Sequence, residues 1–248
     1  MRLALLSDIH ANLPALEAVL ADVDTRGVDA IYHLGDLVGY APWPNEVVGL
    51  IRSRNIPGVA GNYDSTVATH YKHCGCKYED PTQEAQSHQS FQWTLEHTDA
   101  GAKAFLGTLP FRLDVRPLGG HLAGPSLVLV HGTPTLNTVY WTEDRSDDFC
   151  LKMAHQAGAR AGDVVAFGHT HLPWHREING VHLVNAGSVG RPKDGDWRAG
   201  YVLLTAESGS IASEVVRVEY DLPRATQAIR ASTLPHAFAE FLERGGAR

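Results

Sequence analysis

The chain has 248 residues, 44% of them hydrophobic, enough for one large core or two small ones. Lys plus Arg total 21 against 28 Asp plus Glu, a formal charge of −7, and no basic run supplies the clustered charge that strong nucleic-acid binding requires. No apolar stretch reaches membrane-spanning length, the start "MRLALLSDIH" turns polar too soon for a signal peptide, and three cysteines argue for reduced thiols in a cytoplasmic protein rather than a disulfide framework.

Arg2 to Leu6 reads as a first apolar strand. "ANLPALEAVLADVDTRG" reads as a helix, with Asn12 as cap, Pro14 in the first turn and Leu13, Leu16, Leu20 and Val23 at helical spacing. "DAIYHLGD" is a second strand, "PNEVVGLIRSR" a second helix and "IPGVAGN" a third short strand, an alternation that predicts parallel pairing with right-handed crossovers. Ser65 to Gly107 is more polar and carries a helix around Ala85 to Glu96, and is read as a helical insertion over one end of the sheet within a single domain. "PSLVLVHG" and "DVVAFGH" are further buried strands, with a helix near Asp147 to Ala157 between them. From there the pattern turns antiparallel. Asn179-Gly180 marks a hairpin in "WHREINGVHLVNAG", "AGYVLLTAESGSIASEVVRVEY" adds two strands, and helices near Pro223 to Ala231 and Pro235 to Glu243 close the chain. The expected architecture is two packed sheets with helices outside.

The polar residues that end these strands are Asp8 and His10, Asp36, Asn62, His131, and His169 with His171. In parallel sheets, C-terminal strand ends share one edge, where sites are built. His169 and His171, two apart in extended backbone, would aim their rings to one face. Carboxylate with imidazole suits Mn, Fe, Zn, Co or Ni better than Ca or Mg, and thiolates are missing from the set. Seven ligands exceed the needs of one tetrahedral ion and suit two ions roughly 3.5–4 Å apart with one shared carboxylate. Asp36, arriving alone from the second strand, is the natural bridge.

Asp8-Ile9-His10, Gly35-Asp36, Gly61-Asn62, His131 and Gly168-His169-Thr170-His171 together resemble the calcineurin-like metallophosphoesterase superfamily, with the five blocks in the family's order. "NAGSVGRPKDGD", Asn185 to Asp196, resembles its small prokaryotic phosphodiesterase branch. The resemblance implies a four-layer α/β/β/α sandwich of two mixed sheets; the 65–107 insertion, polar and placed directly after Asn62, is read as a lid. It implies that Asp8, His10, Asp36 and His171 hold one divalent transition metal ion, manganese being favoured, and that Asp36, Asn62, His131 and His169 hold the other. A hydroxide held between the two ions would attack phosphorus in line.

Many relatives have a histidine after the asparagine of the third block, thought to protonate the leaving group, and an acidic residue that orients it. Here Tyr63 and Asp64 stand in those catalytic positions. A phenol, with a reference pKa of about 10, is a poor proton donor beside imidazolium. Phosphodiesters and other esters with good leaving groups are therefore the expected substrates. Dinucleoside polyphosphates, phosphomonoesters or phosphoproteins are the alternatives, and a non-catalytic protein-binding scaffold is the rival from another class. Asn12, Asn62 and Arg191 are candidate substrate contacts, although Asn12 also suits a helix cap and Arg191 a surface charge. The expected partner is a small phosphorylated molecule, with no membrane and no strong nucleic-acid association; homo-oligomerisation is left open. Tyr40 and Trp43 suit either a pocket mouth or loop packing. His33 reads as packed or as orienting a carboxylate. His70, His73, Cys74 and Cys76 lack usual zinc spacing, and a loop closing over substrate is preferred there.

Overall fold

The computed structural model describes residues 1–76, 80–115, 124–207 and 209–246. Four strands, β1 (Arg2–Leu6), β2 (Ala30–His33), β8 (Ala199–Glu207) and β9 (Ser210–Val218), form one sheet in the order β2-β1-β8-β9. Five others, β3 (Arg112–Val115), β4 (Leu127–Val130), β5 (Val164–Phe167), β6 (Trp174–Ile178) and β7 (Val181–Asn185), form the second in the order β3-β4-β5-β7-β6. Both are mixed. β1 pairs parallel with β2 and antiparallel with β8, while β4, β5 and β7 run parallel and are flanked by antiparallel β3 and β6.

Alternation along the strands builds the layers. Leu3 and Leu5 of β1 meet Leu127, Leu129, Val164 and Ala166 in a core between the sheets. Ala4 and Leu6 face the opposite way, into a core shared with α1 (Leu13–Asp24), α2 (Pro44–Ser53), α3 (Asn62–Ala68), α7 (Leu222–Ala231) and α8 (Ala237–Glu243). Val165 and Phe167 of β5 pack outward against α6 (Asp147–Gln156) and Trp141, whose indole stacks on Phe167 at 4.3 Å. The result is the four-layer α/β/β/α arrangement.

Two expectations are corrected. The stretch "IPGVAGN" is not a strand but a single bridge, His33 to Gly58, because Pro57 has no N–H to give and the Ala60 N–H turns away to Pro110 O at 2.8 Å. Strand β3, on the sheet edge, has no counterpart in the sequence reading. Within the insertion the described residues form the end of α3, α4 (Pro81–His97) and α5 (Ala100–Leu106); residues 77–79 lie outside the described ones. Phe91 of α4 is buried in the same core as Tyr63, and Ser90 accepts the Tyr40 N–H at 3.1 Å, so this helix is keyed into the fold.

The loops beyond the strand ends stay paired with one another. Asp8 N–H donates to Gly35 O, His10 N–H to Asp36 O and Ala11 N–H to Leu37 O, at 3.0, 2.9 and 2.8 Å. Asp64, read as an orienting catalytic acid, instead spends its carboxylate on backbone, accepting Leu37 N–H at 2.9 Å and Gly61 N–H at 2.9 Å. It ties the Asp36 loop to the start of α3. Asn12, offered as a substrate contact or a helix cap, is the cap: its Oδ1 accepts Ala15 N–H, and its Nδ2 donates to Gly190 O at 2.9 Å. Both side chains are fully buried.

Asp64→Asn sets an amide donor against one of the two backbone N–H groups. The unfolding midpoint in urea should fall by an amount equivalent to ~1–3 kcal/mol with an unchanged slope; an unchanged midpoint would show that the tie carries no stability.

Candidate metal centre

Asp8, His10 and His171 bring their ligand atoms together at one end of the sandwich, and Asp36, His131 and His169 form a second such group. All six are buried. Asp8 and His10 follow β1, Asp36 follows β2, His131 follows β4, and His169 and His171 follow β5. Adjacent strand ends therefore deliver them with little intervening chain.

The backbone at this rim is strained. Asp8, His10, Asp36, His169 and His171 all have left-handed φ, between 49° and 66°, a conformation that costs an L-residue roughly 1–2 kcal/mol. This overturns the extended reading of His169 and His171. They do not share a face: the left-handed turn at each sends His169 to Asp36 and His171 to Asp8. Close approach explains the neighbouring glycines. A Cβ on Gly61 would strike the Asp36 carboxylate, and one on Gly168 would strike Ser7 Oγ.

Each ligand is aimed by a second contact. Asp8 Oδ2 accepts Ser7 Oγ–H at 2.6 Å and His169 N–H at 2.9 Å, which leaves Oδ1 turned to His171 Nε2 at 3.2 Å and His10 Nε2 at 3.6 Å. The Nδ1 of His10, His131 and His171 sits on a backbone carbonyl, of Val38, Leu34 and Arg191 respectively, at 3.1, 2.7 and 2.5 Å. Those contacts place a proton on Nδ1 and turn Nε2 to the site. Asp36 Oδ1 accepts Tyr63 N–H at 2.9 Å, and its Oδ2 lies 3.4 Å from His131 Nε2 and 3.7 Å from His10 Nε2. That oxygen therefore faces both groups. Asn62 begins α3 with its Nδ2 donating to Cys74 O at 2.9 Å, and its Oδ1 lies 3.1 Å from His131 Nε2.

The residues fit a pair of metal ions on three observations. His10 Nε2 and His171 Nε2 stand 3.2 Å apart with lone pairs converging, an arrangement that repels unless a cation lies between them. Donors at about 2.1 Å from one ion stand roughly 3.0–3.4 Å from each other, close to the spacings above. Asp8 Oδ1 and His169 Nε2 are buried with no hydrogen-bond partner among the described residues, a costly state without a ligand.

Titration follows the same contacts. Burial would raise Asp8, but the imidazoles of His171 and His10 hold it well below the carboxylate range. Burial would lower His131, but the Asp36 charge pushes it up to about 10. Burial takes His169 down to about 4 and His171 down to about 3. Asp64 is pushed up to about 7 by burial and then by Asp36, against its two N–H bonds.

A narrow pocket opens over these ligands. Arg191, Tyr40 and Tyr63 line it, and so do Lys193, Tyr140 and Ser87. The last three escaped the sequence reading: Lys193 sits two residues beyond Arg191 in the "GSVGRPK" loop, and Tyr140, stacked on His169 at 4.5 Å, lies in a loop without periodic signal. Of the two loop aromatics, Tyr40 is at the pocket, whereas Trp43 packs beneath Arg224. His33 is packed against Gly58 with neither ring nitrogen hydrogen-bonded to any described residue, neutral under a pKa that burial lowers to about 3, and orients no carboxylate among the described residues. His175 and His182 join each other at 3.0 Å and Ser213 of β9 at 2.8 Å. His70, His73, Cys74 and Cys76 form no three-ligand group among the described residues.

The model of the calcineurin-like phosphoesterase superfamily domain matches residues 1–209. An uncharacterized protein of Methanocaldococcus jannaschii is 32% identical over 257 residues, covering 97% of this chain and 96% of its own. The crystal structure of a metallophosphoesterase from Sphaerobacter thermophilus is 28% identical, with a TM-score of 0.77 over 99% of this chain and 100% of that one. A hypothetical protein from Pyrococcus horikoshii shares the fold, with a TM-score of 0.82 at 22% identity over 100% of this chain and 99% of that one. On a match that takes in both ligand groups and nearly the whole fold, the chain belongs to the calcineurin-like phosphoesterase superfamily.

Proposed function

We propose that the chain is a two-metal phosphoesterase acting best on phosphodiesters and other phosphate esters whose leaving group departs without help from a proton. The observation that carries this reading is the Asp36 carboxylate, with one oxygen facing both three-residue ligand groups. Asp8, His10, Asp36 and His171 would hold one ion, and Asp36, Asn62, His131 and His169 the other. Manganese is favoured among the transition ions that suit imidazole with carboxylate. When bound, the two ions supply Lewis acidity and a water activated at neutral pH.

The remaining chemistry belongs to the side chains. Arg191 and Lys193 attract the anionic ester to the pocket. Tyr63 occupies the position of the proton donor, its ring wedged against His10, Tyr40 and Phe91 at 5.5, 5.1 and 5.8 Å. A phenol fixed there protonates an alkoxide poorly, which supports the preference for good leaving groups. The 65–107 insertion, with Ser87 of α4 in the pocket wall, is read as the cover of the site.

Asp36→Asn should abolish hydrolysis and lower the manganese content after loading, measured by elemental analysis; full activity, or well under one ion per wild-type chain, contradicts the metal assignment. Tyr63→His should raise the rate on an alkyl phosphomonoester by ~10²–10⁴ with little gain on an aryl diester. Tyr63→Phe should leave the aryl rate nearly unchanged. A rate that is flat with leaving-group pKa in wild type and steep in Tyr63→Phe would make the phenol an effective acid.

A further inference from the structure

Arg191 is 5% exposed and lines the pocket, yet its guanidinium has no hydrogen bond and no ion pair to any described residue. What holds it is aromatic. The Tyr40 ring lies 4.1 Å from Cζ, the Phe241 ring 3.8 Å, and Phe238 adds a third ring at 5.6 Å. Helix α8 brings both phenylalanines, and the Gly195 N–H to Gly245 O bond at 2.9 Å docks the chain beyond that helix on the Arg191 loop. Faces covered in this way keep the planar fork rigid and leave its N–H groups to point outward in the guanidinium plane.

Lys193, on the same loop, also lines the pocket, with no ion-pair partner among the described residues. Burial, and after it the repulsion of Arg191, lower its amine to about 8. Two cations side by side in a confined space are unfavourable until an anion joins them. Asp36 is the sole carboxylate among the described residues that line the pocket, and it is turned to the histidines. Two bound divalent ions would outweigh the charges of Asp8 and Asp36, so the loaded site would be positive before Arg191 and Lys193 are counted. A phosphodiester supplies about one negative charge and a terminal diphosphate about three.

Position separates the Arg191 guanidinium from the phosphorus under attack. The Tyr40 ring packs on His10 at 4.9 Å and on the Arg191 guanidinium with its other contact. Arg191 thus stands one ring further out than the metal-facing imidazole. We propose that Arg191, with Lys193, forms a second anion subsite that receives the phosphate adjacent to the one being cleaved, so that the chain prefers substrates carrying a diphosphate. This rests on the phosphoesterase reading above. For a nucleoside diphosphate, water would add to the terminal phosphorus and the bridging oxygen would leave with the nucleoside monophosphate, releasing inorganic phosphate.

The test compares AMP with the non-hydrolysable α,β-methylene analogue of ADP, titrated calorimetrically into the manganese-loaded full chain. Wild type should bind the diphosphate analogue at least about tenfold more tightly, as expected for charge-assisted bonds to a fixed guanidinium. Arg191→Met, which keeps the stem between the rings, should remove most of that gap, and Lys193→Met on the pocket rim should narrow it. Equal affinities in wild type, or an equal loss for both ligands in Arg191→Met, would overturn the subsite, the second result placing the guanidinium on the phosphate at the metals. If Arg191→Met does not fold, the Lys193→Met titration decides by the same criteria. In turnover, the Arg191→Met loss in kcat/KM should be about tenfold larger for ADP than for bis(p-nitrophenyl) phosphate. Wild type hydrolysing no phosphate ester would sink the function proposed above while leaving the affinity gap to judge the subsite.

Discussion

Everything at the rim of the sandwich is arranged around one carboxylate whose two oxygens do different work. Asp36 Oδ1 is held by the Tyr63 N–H at the start of α3, and Oδ2 is thereby turned between His10 and His131. A carboxylate free to rotate would fold back onto either imidazole. Pinned through one oxygen, it can serve two ligand groups with the other. The absence of a Cβ at Gly61, which lets the α3 backbone approach, is as much a part of this arrangement as the charge itself.

The surrounding framework offsets a local cost. Five of the candidate ligand residues sit in left-handed backbone, and their loops would relax if nothing opposed them. What opposes them is a set of buried polar ties: Ser7 on Asp8, Asp64 on the Leu37 and Gly61 amides, Asn12 on Gly190 O, and Ser188 Oγ on Asp8 O at 2.7 Å. These join the ends of the two sheets, whose separate cores lie behind them. The apolar layers supply the stability that lets the rim be strained, and the rim spends part of it on ligand geometry.

Much of this was legible in the residues. Strand ends with Asp, Asn and His after apolar runs located the site, because a buried parallel strand has a short, strongly apolar signature and its polar terminus stands out. The Asn179-Gly180 hairpin was legible for a similar reason, both residues adopting positive φ, 50° and 77°. What escaped was set by tertiary contact. Strand β3 is an edge strand whose pairing with β4 supplies what its own pattern does not. Asp64 was read as a catalytic residue, and Asn12 was left between substrate contact and helix cap, because a carboxylate or an amide next to a site has the same one-dimensional signature whether it faces substrate or caps backbone. The resemblance allotted His169 and His171 to different ions, but the backbone that gives them opposite aims, left-handed φ at two non-glycine residues, is announced by no local propensity. Lys193 and Tyr140 carry no spacing at all relative to the ligands.

The same loop that closes the site, Asn185 to Asp196, links it to the C-terminal helix. His171 is oriented by Arg191 O, and the Arg191 side chain is caged by Phe238 and Phe241. Ligand geometry and pocket charge therefore share one short segment of chain. The claim on which the account turns, two ions bridged by Asp36, is read most directly by anomalous diffraction from manganese-loaded crystals. Two peaks about 3.5–4 Å apart, each within bonding distance of an Asp36 oxygen, are the predicted result. A single peak, or a pair of which only one touches Asp36, would contradict it.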